Sequence, residues 1–397
     1  MIKNYKVRLH VLSPVHIGMG DAYDPTQFVI DKDGLMYVFD TNDFLKSLSP
    51  EKSVEFCKLA DDARNPIPVF RFFRDNFDKN KVKYREVKIS TDLAERYKQI
   101  CESGSLNKDA INQFELRRNI FNPVKNVPYI PGSSLKGCLK TFWMSEANKR
   151  SDEPYKRNPQ DEPYRGEIGK LETRILKGGF DKDPFRFVKV SDLYPVEQED
   201  SFLSRIMYAV MFSRNNSKEE DSKKKDRRSS LTVALEIIPK GNIFEGIISI
   251  DNQEYLPDEA KIQKISMDTL MKRSQKYYLS NPKVKDTNGN EKQIPSKTLS
   301  EINLLNKLGG IGFSCNKEMF DRIGKDCFPI RIGHHSSAEF ITLDGCRSVK
   351  ITPPGVRQAK YAERATSIWL ASNKRKPENA KGLQSFGWAL LEFEEIK

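Results

Sequence analysis

The 397-residue sequence predicts a protein of the α+β class. Three observations carry this. Lys6–Leu12 and Trp388–Phe393, near the two ends of the chain, alternate as strands do. Residues 129–143 read as an extended arm, a turn and a helix. The remaining strands and helices follow one another without the regular alternation of a doubly wound nucleotide-binding fold.

The first strand sets Val7, Leu9 and Val11 against Lys6, Arg8 and His10. Ser13-Pro14 ends it, because proline has no amide for a ladder and restrains its neighbour. Val15-His16-Ile17-Gly18 leads into a loop rich in glycine and aspartate. Phe28–Ile30 and Met36–Phe39 flank Asp31-Lys-Asp-Gly34, a hairpin turn. Asp40 or Thr41 caps a short helix through Leu48, and Ser49-Pro50 starts another. Residues 61–128 read as an ordered insertion with a dense cluster of Phe70, Phe72, Phe73 and Phe77. Within it Leu93–Cys101 reads as a helix and Phe114–Ile120 as the strand that feeds the arm at Tyr129.

In Tyr129–Trp143, Pro131-Gly132 marks a turn and Ser133 or Ser134 is a candidate helix cap. Leu135, Cys138, Leu139, Phe142 and Trp143 then fall on one apolar helical face. Lys136 and Lys140 lie one turn apart on a neighbouring face. Free amides at a helix start, with two lysines beside them, form an anion site. An ordinary capped core helix is the plainer reading of the same residues.

Residues 145–180 are polar, with prolines, glycines and mixed charge, and mark the expected domain junction. Arg186–Ser191 opens the second half as a strand, and Phe202–Phe212 reads equally as helix or strand. Ser213–Ser230 contains no apolar residue and reads as mobile, with Lys223-Lys-Lys225 and Arg227-Arg228. Leu231–Ile238 and Ile247–Ile250 alternate as strands, Asp258–Leu279 reads as a long helix, and Leu299–Leu308 as a shorter one stopped by Gly309-Gly310.

Composition narrows the class of function. Apolar residues make up 38% of the chain and mean hydropathy is −0.63. No apolar run approaches the ~18–20 residues of a membrane span. Lys3, Lys6 and Arg8 are not followed by a signal core, so no export signal is expected. Six cysteines without a Cys-x-x-Cys pair argue against a zinc ribbon or a disulfide framework. A cytoplasmic protein with reduced thiols is expected. The formal charge of +12 favours a polyanionic partner, by default nucleic acid.

Ile130-Pro-Gly-Ser-Ser-Leu-Lys-Gly137 resembles the signature of the RAMP superfamily, the repeat-associated proteins of CRISPR systems. Leu12-Ser-Pro-Val-His-Ile-Gly18-Met-Gly20 looks like that family's first-strand exit. Leu308-Gly-Gly-Ile-Gly312-Phe-Ser and Arg331-Ile-Gly333 look like its glycine-rich loop region. By length and motif order the chain is similar to the filament-capping subunits of type III-A CRISPR (Csm) effector complexes. The resemblance implies two ferredoxin-like (RRM/RAMP) domains with large insertions. These are an N-terminal domain over 1–145 with its insertion around 61–128, a polar junction at 146–180, and a C-terminal domain over 181–397 with a mobile basic loop at 213–230.

It also implies a non-catalytic subunit that binds guide RNA (crRNA), caps the backbone filament at the crRNA 3′ end and takes part in 3′-end maturation. Its partners would be crRNA, the backbone RAMP subunit, the small subunit and host nucleases for trimming. Implied RNA-binding residues are His16, Gly18, Gly132, Ser133, Ser134, Lys136, Lys140, Gly310, Gly312 and Arg331. No cofactor or metal is implied.

The alternative is a RAMP-type endoribonuclease that cleaves repeat RNA with His16 as general base. RNA cleavage needs an acid or base near the 2′-hydroxyl and cations for the developing charge. His16 has no evident partner in sequence, so local hydrogen bonding at a strand exit competes with that role. His334-His335 have no carboxylate or cysteine at ligand spacing, and neighbours on a strand point to opposite faces. They also depart from the family, which continues Arg-Ile-Gly with further glycines. Gly309–Ser314 lacks the Gly-Lys-Ser/Thr of a phosphate loop. The phenylalanine cluster is expected to be core rather than a base-stacking surface.

Overall fold

In the computed structural model, Tyr5, Val7, Leu9 and Val11 of the N-terminal strand Ile2–Val11 point into a core, while Lys6, Arg8 and His10 stay partly exposed. The structure describes residues 2–32, 34–61, 67–102, 115–151, 153–161, 167–196, 202–214, 228–251, 262–280, 283–285, 291–293, 296–311, 317–352 and 358–397.

The N-terminal strand lies between Ile243–Asp251 and Trp388–Ile396, antiparallel to both. Cys327–Arg331 extends this six-stranded sheet on one side; Tyr194–Pro195 and Val188–Val190 extend it on the other. Strands from both halves of the chain therefore share one sheet, and the expected cut at 146–180 does not coincide with a division between sheets. The outer face is held by ion pairs of Lys6 and Arg8 with Glu245 and by a hydrogen bond between His10 Nε2 and the Glu392 carboxylate.

Two helices, Gly132–Lys149 and Met267–Leu279, cover the inner face. Phe142 meets Tyr277, Tyr278 and Phe328, and Trp143 packs edge-on against Phe185. The first helix runs further than its apolar period predicted. Ser145, Glu146 and Asn148, at the start of the expected junction, are buried. Glu146 is tolerated there because Lys149 and Lys276 approach its carboxylate.

The second sheet has nine strands and is mixed. Its path runs Gly18–Ala22, Leu116–Asn119, Arg228–Ile237, Arg205–Ser213, Tyr84–Lys88, Leu35–Phe39 and Phe28–Ile30. Phe202–Phe212 thus falls largely in a strand, with Ile206, Tyr208, Val210 and Phe212 in the core. The hairpin turns at Gly34, whose φ is +81°. Phe72 and Phe73 join Phe39 and Phe44 in an aromatic cluster with Phe77 at its edge, so the phenylalanines pack as core.

Three local expectations change. The helix expected over Asp258–Leu279 is helical only over Met267–Leu279 within the described residues, because Ser266 forms a capping box with Thr269. His334 and His335 lie in a turn rather than on a strand. The serines do not cap the Gly132 helix. Its N-cap is Pro131, and the Gly132 amide donates instead to Asp192 Oδ1 at 2.8 Å. Most of the basic loop at 213–230, including Lys223–Lys225 and Arg227, lies outside the described residues, as does Gly312.

Candidate nucleic-acid interface

The chain crosses from the first sheet to the second at Leu12–Gly18, and a cleft of about 840 Å³ opens there. Three separated stretches line it. His16, Gly18 and Gly20 come from the first-strand exit, Ser134, Gly137, Cys138 and Thr141 from the long helix, and Arg331, Gly333 and His334 from the strand end after Cys327. Arg117 and Arg118, on the strand Leu116–Asn119, close the remaining side.

Backbone bonds hold this junction. Val15 and Ile238 exchange amide and carbonyl bonds, and the Ile17 amide donates to Asn119 Oδ1 at 2.8 Å. The His334 amide donates to the His16 carbonyl at 2.7 Å. Gly333 permits that approach: its φ is +88°, and a Cβ there would stand 2.6 Å from the same carbonyl oxygen. Gly132 is a second forced glycine, since a Cβ would fall 2.3 Å from the Val190 carbonyl oxygen.

His16 is buried, and its Nδ1 lies 2.7 Å from the Glu236 carbonyl oxygen. A carbonyl only accepts, so Nδ1 carries the proton and Nε2 keeps its lone pair. Burial pushes the His16 imidazole below its ordinary value, more than the carbonyl bond restores. His334 is lowered by burial and then by the Arg117 charge. His335, packed on Trp369 and Phe386, is pushed down to about 3 by burial and the other two histidines. All three therefore stay neutral near pH 7.

Below the arginines, Glu236 is fully buried at an inward position of its strand. It accepts from Arg85 Nη1 and Tyr23 Oη, both at 2.7 Å, and from the Asn119 amide at 3.1 Å. Burial acts to raise this carboxyl, but the Arg85 charge and these bonds hold it below its ordinary value.

The structure brings His16, Gly18, Ser134 and Arg331 to one cleft. The Arg331 guanidinium, however, is turned inward to Glu301 and lies over the rings of Phe340 and Trp388. Lys136 and Lys140 point away. Ser134, Gly137, Cys138 and Thr141 share the cleft face at helical spacing, so the lysines fall on the opposite side. Lys136 donates to the Val188 carbonyl at 2.7 Å, and Lys140 is held by Glu172 and Asp183. Ser133 is exposed outside the cleft, and the Gly132 amide is taken by Asp192. Gly310 follows the helix Lys297–Leu308, close to Leu305 and Leu383, and does not line the cleft.

Sequence reading missed Arg117, Arg118, Glu236 and Asp192. The arginine pair was visible but lost among 67 lysines and arginines. A glutamate within the alternating strand before Ile237 was a signal for a buried partner. Among the described residues no group of His, Cys, Asp and Glu side chains comes together to hold a metal, and no helix is long and apolar enough to cross a membrane.

The model of the RAMP superfamily matches residues 8–316. The chain belongs to the RAMP superfamily. This RAMP protein is 24% identical over 210 residues to the CRISPR system Cms protein Csm5 of Methanocaldococcus jannaschii, a match covering 50% of this chain and 44% of that protein. It is 26% identical over 207 residues to Csm5 of Streptococcus thermophilus, covering 50% and 53%. The chain thus spans about half the length of the curated relatives it matches. Its fold is similar to a chain in a cryo-EM structure of a Csm–crRNA–target RNA ternary complex of a type III-A CRISPR-Cas system. There the TM-score is 0.53 and identity 14%, with 98% of this chain and 100% of that one covered. It is also similar to the crystal structure of T. onnurineus Csm5, with a TM-score of 0.51 and 16% identity, covering 96% and 99%.

Proposed function

We propose that this RAMP protein is a subunit of a type III-A CRISPR effector complex and binds guide RNA without cutting it. In this reading it caps the filament of backbone subunits at the crRNA 3′ end, next to the small subunit, and takes part in 3′-end maturation with trimming nucleases of the host. The single observation that carries it is the convergence of the first-strand exit, the Gly132 helix and Arg331-Ile-Gly333 on one cleft faced by Arg117 and Arg118. An open groove with cations on one wall and glycines on the other admits a phosphate backbone closely without reading bases. Guide sequence would be read by pairing, as in other guide-RNA complexes. RNA retained by the copurified complex, sequenced and mapped to its 3′ portion, tests the assignment; a complex that holds guide with properly matured 3′ ends without this chain would overturn it.

The cleavage alternative has one favourable feature, the proton-accepting Nε2 of His16. It lacks the acid. The leaving oxygen must receive a proton, yet His334 is held neutral by burial and by Arg117. The non-cleaving reading is therefore preferred.

A further inference from the structure

Beside the cleft, sharing Arg118 as a common wall, lies a second cavity of about 430 Å³. Gln27, Asp43, Arg85, Phe121 and Asn126 are among its other lining residues. The Arg118 guanidinium lies 4.8 Å from the centre of the Phe121 ring and 4.8 Å from that of Tyr23. The Arg85 guanidinium lies 5.4 Å from Phe121. Two cationic planes are thus gathered around one ring.

Two details set this apart from structural packing. Glu236 and Tyr23 occupy Nη1 and Nη2 of Arg85, yet the Nε–H groups of both Arg85 and Arg118 are buried and have no hydrogen-bond partner among the described residues. Such donors are costly unless something accepts from them. In addition, the Glu236 carboxylate pins Arg85, Tyr23 and the Asn119 amide, so the Arg85 plane is already fixed before anything binds.

We propose that this cavity takes one nucleobase turned out of the RNA strand whose backbone runs through the adjoining cleft. A flat base would lie against the Phe121 ring and edge to edge with the guanidiniums, its ring nitrogens and carbonyls accepting from the in-plane Nε–H groups. Arg118 would serve both chambers, so base and backbone are gripped at adjacent nucleotides. The other polar lining groups, Gln27 and Asn126 with Asp40, Asp43 and Lys83, offer donors and acceptors to any of the four base edges. This inference rests on the reading of the cleft as an RNA channel.

The test measures binding of the full chain to a fluorescent single-stranded RNA and to an abasic strand of the same length. Wild-type protein should prefer the RNA by roughly tenfold, the size of one stacked base. Phe121→Leu keeps apolar bulk and removes the ring; it should bind the abasic strand as wild type does and lose most of the preference. Equal, salt-sensitive binding of both strands by wild type would overturn the base pocket and leave the channel standing. A preference retained in Phe121→Leu would also overturn it. No binding to either strand would overturn the channel, and the pocket with it.

Discussion

The His334 amide donates to the His16 carbonyl, and this 2.7 Å bond ties the exit of the first strand to the turn after Arg331. Glycine at 333 allows it, and the two histidine rings meet edge to face 6.4 Å apart. The bond makes one wall of the cleft from opposite ends of the chain. Gly333→Ala should therefore destabilise the protein by about 2 kcal/mol or more, from a positive φ and a clash with a carbonyl. A urea midpoint equal to wild type would contradict this.

Arg117 carries the electrostatic prediction. Its side chain is about half exposed and pairs only loosely with Glu115 at 3.3 Å. Arg117→Ala should keep the thermal midpoint and reduce the slope of log affinity against log salt by about one unit on single-stranded RNA. A slope unchanged from wild type would show that the cleft does not hold phosphate.

Lys136 and Lys140 invite the opposite expectation. Lys140 bridges Glu172 and Asp183, and Lys136 donates to Val188. Replacing both with alanine should lower stability by about 1 kcal/mol, as for partly exposed pairs, and leave the salt slope of RNA binding near wild type. A drop in slope with stability intact would return these lysines to the RNA.

The histidine cluster predicts a pH dependence. His16 and His335 have folded values below the ordinary 6.5, so the unfolded chain takes up protons first as pH falls. Their contribution to stability is full above pH 6.5 and is lost as pH falls toward the folded values, at up to about 1.4 kcal/mol per pH unit for each group. His335→Phe retains a ring against Trp369 and Phe386 and should flatten the fall between pH 6.5 and 4. Denaturant midpoints across that range, parallel in wild type and variant, would refute it.

The isolated chain should not cut RNA. His16→Ala should leave a labelled repeat RNA as intact as wild type does, because His334, the other histidine lining the cleft, is held neutral by burial and by Arg117. Cleavage by wild type that disappears in His16→Ala would restore the enzymatic reading.

By itself the sequence determined what is local. The alternation of Val7, Leu9 and Val11, the apolar face of Leu135, Leu139 and Phe142, and the stop at Gly309 all depend on near neighbours along the chain. Family motifs marked the stretches that meet at the cleft. Only tertiary structure decided which cations face it. Lys136 and Lys140 differ from Ser134 and Gly137 by a rotation about one helix axis, and their orientation follows from where Val188, Glu172 and Asp183 pack. Arg331 was diverted to Glu301 by a contact 30 residues away in sequence, and Arg117 was delivered by a strand whose place depends on pairing with Ala234 and Leu235. Such pairings are set by the sum of many distant contacts, and no residue pattern within one segment encodes them.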